Sequence, residues 1–317
     1  MFYNYKKDDL GNESLKILGL PVFRVFETNT CRKVKVFGVT VAKAATKREN
    51  FITADIYYLA PNHRLDKKKV LITGGGSGIG AAIASRFIAE GAEVCIAGRN
   101  EARLKEVATE LGCKYIVMDV SDTSVAMQSL QAADTMMGGL NVLVNNAGVT
   151  APEGSILDSN PESWDSQLST NLKGAYFLSQ KFISLHIEEK RTNSSILFIS
   201  SVRGIFSDDT PYGLSKAAIN SLTQGLAWRY APHGIRVNAI CPGVTLTEMV
   251  KHDCNRTSDS SPNLYYKHNS GERYFLPEEV AEAACFLTCD ASNCITGLIL
   301  PCDYGGTLNT AWMHLKP

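Results

Sequence analysis

Tyr212 and Lys216 stand four residues apart in Tyr212-Gly213-Leu214-Ser215-Lys216. On a helix that spacing puts both side chains on one face, where they can meet. A free phenol titrates near about pH 10, too high for efficient proton exchange near neutrality. A neighbouring ammonium favours the phenolate and lowers that value, so the pair predicts a tyrosine acid or base. Far upstream, Thr73-Gly74-Gly75-Gly76-Ser77-Gly78-Ile79-Gly80 follows the apolar run Val70-Leu71-Ile72. A short strand running into clustered glycines and then a helix is how a chain builds a dinucleotide pyrophosphate site. Glycine lets the backbone approach the ligand, and the helix start offers free N–H groups and positive dipole. Glycine-rich turns also serve purely structural ends; the tyrosine–lysine pair downstream decides for chemistry.

Both segments need a frame. From Lys69 onward short apolar strands alternate with amphipathic helices, the signature of βαβ units and a parallel sheet. The pattern predicts strands at Val70–Thr73, Glu93–Ala97, Tyr115–Met118, Asn141–Val144, Ile196–Ser200, Arg236–Ile240 and Leu298–Leu300. It places one helix near Ser77 and another from Tyr212 through Tyr230. Right-handed crossovers then align the carboxyl ends of the strands along one edge. Gly74, Asn145, Ser201 and Pro242 each follow a strand and should converge there.

The glycine spacing is G-x-x-x-G-x-G, and Asn145-Asn146-Ala147-Gly148, Ser200-Ser201, Tyr212-x-x-x-Lys216 and Pro242-Gly243 follow it in order. Over roughly Lys68 to Thr307 the chain thereby resembles the short-chain dehydrogenase/reductase family, its phrases closest to 3-oxoacyl-carrier-protein reductases and sugar or polyol dehydrogenases. The resemblance implies a Rossmann-type doubly wound α/β fold and hydride transfer between a nicotinamide and a carbonyl or secondary alcohol. It also assigns roles. Ser201 would hydrogen-bond the substrate oxygen, and is preferred to Ser200 because Val202-Arg203-Gly204 follows as in relatives. Lys216 would hold the nicotinamide ribose, and Asn171, in Thr170-Asn171-Leu172-Lys173-Gly174, would help a proton relay reach it. Thr73, Gly74, Gly76, Ser77, Gly78, Ile79 and Gly80 would cradle the cofactor, with Asp119 and Val120 at the adenine. Asn145, Ala147 and Gly148 match the ribose-side turn, and Pro242, Gly243 and Thr247 the nicotinamide carboxamide site. One departure stands out: Ser201 and Tyr212 are eleven positions apart, closer than is common in the family. That leaves the tyrosine chemistry in place and the substrate class open. The ending Ile295-Thr296-Gly297…Asp303-Tyr304-Gly305-Gly306 resembles the family's subunit-contact segment with one inserted residue, so a homodimer or homotetramer is expected.

The cofactor's identity turns on the end of the second strand. An NAD enzyme usually places a carboxylate there for the ribose 2′-hydroxyl. This chain has Gly98 and then Arg99. A carboxylate would repel a 2′-phosphate, whereas a guanidinium pairs with it. NADP(H) is the preferred cofactor, with NAD(H) as the alternative. The stretch from Thr247 to Arg273 is polar, carrying His252, Arg256, Tyr265, Tyr266, Lys267 and His268. It fits hydroxylated or anionic substrates, and equally a solvated lid.

The 317 residues exceed one average domain without requiring two full ones. No apolar stretch approaches the ~20 residues of a membrane span, and the first nine residues lack a secretory core. A cytoplasmic protein with reduced, mostly buried thiols is expected, its nine cysteines forming no C-x-x-C pair. Cys285, Cys289 and Cys294 are the nearest approach to a metal-ligating set, and no metal is expected there. Nothing points to a nucleic acid.

Zero net charge conceals a division. Residues 1–69 hold 14 basic and 7 acidic side chains, and residues 70–317 hold 18 and 25. The front should either face an anionic partner, such as a peripheral membrane surface, or dock on its own acidic body. Within it Lys16-Ile17-Leu18-Gly19-Leu20-Pro21-Val22 recurs as Lys35-Val36-Phe37-Gly38-Val39-Thr40-Val41. These copies read as two related strands, or a hairpin made of the two, with a third strand at Phe51–Tyr58, and look like stretches at the start of some bacterial polysaccharide-assembly enzymes. The expected organisation is a small β-rich basic extension, residues 1–65, and a short-chain dehydrogenase/reductase domain, residues 66–317. Three rivals remain: a non-catalytic NAD(P)-binding scaffold or sensor, a 3-oxoacyl-thioester reductase, and a protein whose basic front, delivering it to a surface or assembly, is its main function.

Overall fold

The computed structural model describes five strands between residues 3 and 44, and residues 63–152, 155–249 and 274–309. The chain divides into two units, Met1–Asn62 and His63–Pro317. In the first, strands β1 (Tyr3–Lys7), β2 (Glu13–Ile17), β3 (Leu20–Thr28), β4 (Cys31–Val36) and β5 (Val39–Ala44) pair antiparallel in chain order. The repeated segments are not single strands, as the sequence suggested. Each runs from the end of one strand into the start of the next, with Ile17 opposite Leu20 and Val36 opposite Val39. The candidate strand at Phe51–Tyr58 lies outside the described residues.

The second unit is a seven-stranded, wholly parallel sheet in the order β12-β11-β10-β9-β6-β7-β8. Its elements are β6 (Lys69–Thr73), α1 (Gly78–Ala89), β7 (Glu93–Gly98), α2 (Glu101–Leu111), β8 (Lys114–Val117), α3 (Thr123–Met137) and β9 (Val142–Asn145). They continue with α4 (Pro161–Leu168), α5 (Ala175–Glu188), β10 (Ser194–Ile199), α6 (Pro211–Tyr230), β11 (Ile235–Pro242), α7 (Pro277–Thr288) and β12 (Ile299–Cys302). Strand side chains alternate between two cores, one on each face. Val70, Ile72, Val142 and Val144 enter the core built with Ile83 and Phe87 of α1. Leu71 and Leu143 enter the one built with Leu130 of α3 and Leu178 and Phe182 of α5. This is the Rossmann-like doubly wound arrangement, with both faces covered by helices.

Helix starts are fixed locally. Asn100, Asp122, Asn160 and Thr210 cap α2, α3, α4 and α6 by accepting from the backbone N–H three residues on. Pro161, Pro211 and Pro277 open α4, α6 and α7, where a missing N–H costs nothing. Between α4 and α5 the chain widens into a π turn over Ser169–Gly174, which contains Asn171. Such turns recur where a helix must offer a side chain at an unusual angle. Chain order reverses about β6, which lies between β9 and β7. In sheets of this kind ligands bind beyond the carboxyl ends of the strands at such a point.

Candidate active site

β6 ends at Thr73, whose hydroxyl accepts from the N–H groups of Asn146 (3.0 Å) and Ala147 (3.1 Å) and donates to the Val144 carbonyl (3.3 Å). The Asn146 amide returns the tie, donating to the carbonyls of Thr73 (2.9 Å) and Gly74 (3.1 Å). The turn after β6 is thus bolted to the turn after β9. Gly74 has φ +65° and Gly78 φ +53°, a region that favours glycine. A Cβ on Gly80 would lie 2.2 Å from the Gly74 carbonyl oxygen, so only glycine lets α1 start this close to β6. The cap residue Ser77 makes no side-chain cap bond, and the first turn of α1 carries no acid. Its leading N–H groups and dipole therefore remain available to an anion at the cleft. A dinucleotide pyrophosphate fits this cradle.

The cleft beyond these turns has a volume of about 1560 Å³. Gly74, Gly76, Ser77, Gly78 and Ile79 line one end, followed by Arg99, Asp119, Val120, Ala147 and Gly148. Ser201, Tyr212, Lys216, Pro242, Gly243 and Thr247 line the other. Asp119 accepts from the Ser121 N–H (2.9 Å) and hydroxyl (2.7 Å). Burial alone would raise its carboxyl, but these bonds and the charge of Arg99 hold it below its usual value. Arg103 of α2 donates to the Gly76 carbonyl (3.0 Å), bracing the glycine-rich turn. No side chain at position 98 intervenes between the cleft and the guanidinium that follows.

At the other end, Lys216 is buried and its ammonium donates to the Ile199 carbonyl (2.9 Å), 5.6 Å from the centre of the Tyr212 ring. Desolvation lowers its pKa to about 8. Tyr212 is raised from its ordinary value; burial is the main cause, opposed by a hydrogen bond with Ser201 and the charge of Arg203. The sequence-based expectation of a phenol lowered by Lys216 is therefore not what this cleft presents. Burial dominates, and the lysine is itself desolvated and tied to a carbonyl. Ser200 and Ser201 separate cleanly. The Ser200 hydroxyl donates to the Lys216 carbonyl (3.1 Å) and holds α6 to β10, whereas Ser201 bonds the Tyr212 phenol.

Four candidates, Asn171, Thr73, Gly80 and Asn145, lie behind the cleft wall rather than on it. Asn171 accepts from the Val149 N–H (2.8 Å) and donates to the Val149 carbonyl (2.9 Å) and the Ser215 hydroxyl (3.2 Å). A Cβ on Gly148 would lie 3.3 Å from Asn171 Oδ1 and 3.6 Å from Lys216 Nζ, so the asparagine and lysine flank one glycine. Thr73 and Gly80 shape the turn without facing the cleft. Asn145 corrects a sequence-based assignment: its amide donates to the Ser179 hydroxyl on α5 (3.0 Å), in the core. Strand alternation sends Asn145 to one face and leaves Asn146 to secure the turn; the two-residue period could have shown this. Also missed were Arg203 and Asp208, which line the cleft beside Tyr212. Of the polar segment after Thr247, His252 through Arg273 lie outside the described residues.

A family model described as enoyl-(acyl carrier protein) reductase matches residues 74–307. The chain belongs to the short-chain dehydrogenase/reductase family. Oxidoreductase UcpA of Salmonella typhimurium is 35% identical over 257 residues, covering 77% of this chain and 96% of that one. The 3-oxoacyl-[acyl-carrier-protein] reductase FabG of Thermotoga maritima is 34% identical over 252 residues, covering 76% and 98%. The crystal structure of a short-chain dehydrogenase from Burkholderia cenocepacia in complex with NADP superposes with a TM-score of 0.69 at 30% identity, covering 77% of this chain and 99% of that one. This protein is accordingly an NAD(P)-dependent oxidoreductase of that family. Among the described residues no group of three His, Cys, Asp or Glu side chains could hold a metal ion. No helix among them is long and apolar enough to cross a membrane.

Proposed function

We propose that this protein is an NADP(H)-dependent oxidoreductase acting on the carbonyl or secondary alcohol of a polar, hydroxylated metabolite, such as a sugar in polysaccharide metabolism. The observation that carries this reading is the meeting of Ser201, Tyr212 and Lys216 in the same cleft as the glycine-rich turn. When bound, the nicotinamide supplies or accepts the hydride. Gly74 to Ile79 hold the pyrophosphate, and Lys216 the ribose beside the nicotinamide. In the reductive direction Ser201 donates a hydrogen bond to the substrate oxygen, and the Tyr212 hydroxyl gives it a proton. Lys216, with Asn171 behind Gly148, replaces that proton. Holding substrate against this set supplies much of the rate.

NADP(H) is preferred to NAD(H) because Arg99 lines the cleft where an acid would otherwise contact the ribose. The NADP bound in the Burkholderia relative supports the same choice. A second reading, reduction of a 3-oxoacyl thioester, is favoured by the matched family's description and by FabG. A non-catalytic scaffold would have no need of a serine bonded to a tyrosine beside a buried lysine. The expected assembly is a homodimer or homotetramer in the cytoplasm. A separate β-rich basic appendage that carries no site residue is taken to precede the catalytic domain, with the boundary expected after residue 65 moved to Asn62 because Leu65 is buried in the core of the second unit. Screening ketones, sugars, thioesters and their alcohols with NADPH and NADP⁺ tests the proposal. Turnover of a polar carbonyl supports it; tight NADPH binding with no turnover across the panel favours the scaffold.

A further inference from the structure

Between Ser201 and Tyr212 the chain closes a short loop on its own charges. The Arg203 N–H donates to the Ser201 hydroxyl oxygen (3.2 Å). The Arg203 guanidinium forks onto Asp208, Nε to Oδ2 (2.5 Å) and Nη2 to Oδ1 (3.1 Å), and reaches the Thr210 hydroxyl (3.1 Å). Asp208 accepts in turn from the Thr210 N–H (2.9 Å) and hydroxyl (2.7 Å), and Thr210 caps α6 by accepting from the Gly213 N–H (3.3 Å). The guanidinium carbon sits 5.7 Å from the centre of the Tyr212 ring. Packing leaves the loop little freedom. A Cβ on Gly213 would lie 2.1 Å from Asp208 Cγ, and one on Gly204 would lie 2.6 Å from the Lys216 carbonyl carbon.

We propose that the Arg203–Asp208 pair is a positioning unit of this active site, holding Ser201 and the Tyr212 end of α6 in one frame and balancing the charge that the Tyr212 phenol meets. The inference rests on the reading of Tyr212 as the proton donor and adds residues that the family motifs do not include. The side chains are only 28% and 9% exposed, so their charges act across a poorly screened gap. Groups facing the phenol are Ser201, Arg203 and Asp208 on the loop, Cys241 on β11 and Lys216 on α6. Arg203 favours the phenolate, and Asp208 and Cys241 oppose it. Removing either partner of the pair leaves the other charge uncompensated beside the tyrosine. The shifts must then be opposite in sign: Asp208→Asn lowers the Tyr212 titration, and Arg203→Met raises it.

The whole protein labelled with ¹³Cζ-tyrosine reads this without any substrate. Tyr212 is assigned by the signal lost in Tyr212→Phe and followed upward from about pH 8 to the alkaline limit of the folded protein. The expected result is a midpoint about one pH unit lower in Asp208→Asn and about one unit higher in Arg203→Met than in wild type. Arg203→Lys keeps the charge but loses the fork; its midpoint stays near wild type while its melting temperature falls, separating charge from scaffold. Midpoints that move in the same direction in the Asp208→Asn and Arg203→Met proteins, or a signal that responds to neither, overturn the proposal. Should Arg203→Met not fold, an Asp208→Asn midpoint at or above wild type does so alone. Full turnover in Tyr212→Phe would instead remove the reading of the tyrosine and leave the titration result standing.

Discussion

At its glycine-rich end the cleft is shaped by backbone, whereas around Tyr212 it is shaped by side-chain charges and hydrogen bonds. Gly74, Gly78 and Gly80 work by having no Cβ, and the ties that fix the turn run from Thr73 behind it and Asn146 at its side. At the other end Ser201, Tyr212 and Lys216 lie on the cleft wall, and their protonation depends on burial and on neighbours such as Arg203. Binding and proton transfer should therefore fail separately when each end is damaged.

The largest effect belongs to Tyr212→Phe. Loss of a positioned proton donor lowers turnover by roughly 10²–10⁴-fold. Cofactor affinity, measured by fluorescence titration with NADPH, should stay near wild type. Gly80→Ala breaks the comparison from the other side. Its Cβ collides with the Gly74 carbonyl, so NADPH affinity should collapse while the Tyr212 region keeps its titration.

Lys216→Met sharpens the contrast between function and stability. The folded-state pKa of Lys216 is about 8, against an ordinary 10.5, so the unfolded chain holds that proton more tightly. Stability from this group should rise with pH between about 8 and 10.5, and its full cost is present at pH 7. The variant should thus lose activity yet melt higher at neutral pH, with a gain of order 1–3 kcal/mol that narrows toward pH 10. The carbonyl of Ile199, left without its donor, offsets part of it. Differential scanning calorimetry at several pH values checks both sign and window. Smallest is Arg99→Ala, which should weaken NADPH by about 1–3 kcal/mol and hardly affect NADH, as direct titration of both cofactors would show.

The parallel sheet was legible because buried strands and amphipathic helices carry different periods. The strands from Lys69 onward fall within about two residues of where their apolar runs place them. The glycine turn and the Tyr212–Lys216 pair were legible because both depend on local spacing. Less visible was anything set by neighbours distant in sequence. No motif links Arg203 to Asp208, five positions on, until folding pairs them and sets the guanidinium over Tyr212. Burial, which raises the phenol, is likewise absent from a four-residue spacing. In the front of the chain the repeated segments looked like strands, although the glycine at their centre is a turn signal.

Hydride transfer itself is tested most directly with NADPH deuterated at nicotinamide C4, each face labelled in turn, and a carbonyl from the panel that the enzyme turns over. The account expects deuterium from one face only, carried to the carbinol carbon of the product, and a Tyr212→Phe enzyme that binds the labelled cofactor but forms almost no product. Alcohol left unlabelled by both cofactors, or formed at an undiminished rate by Tyr212→Phe, would contradict it.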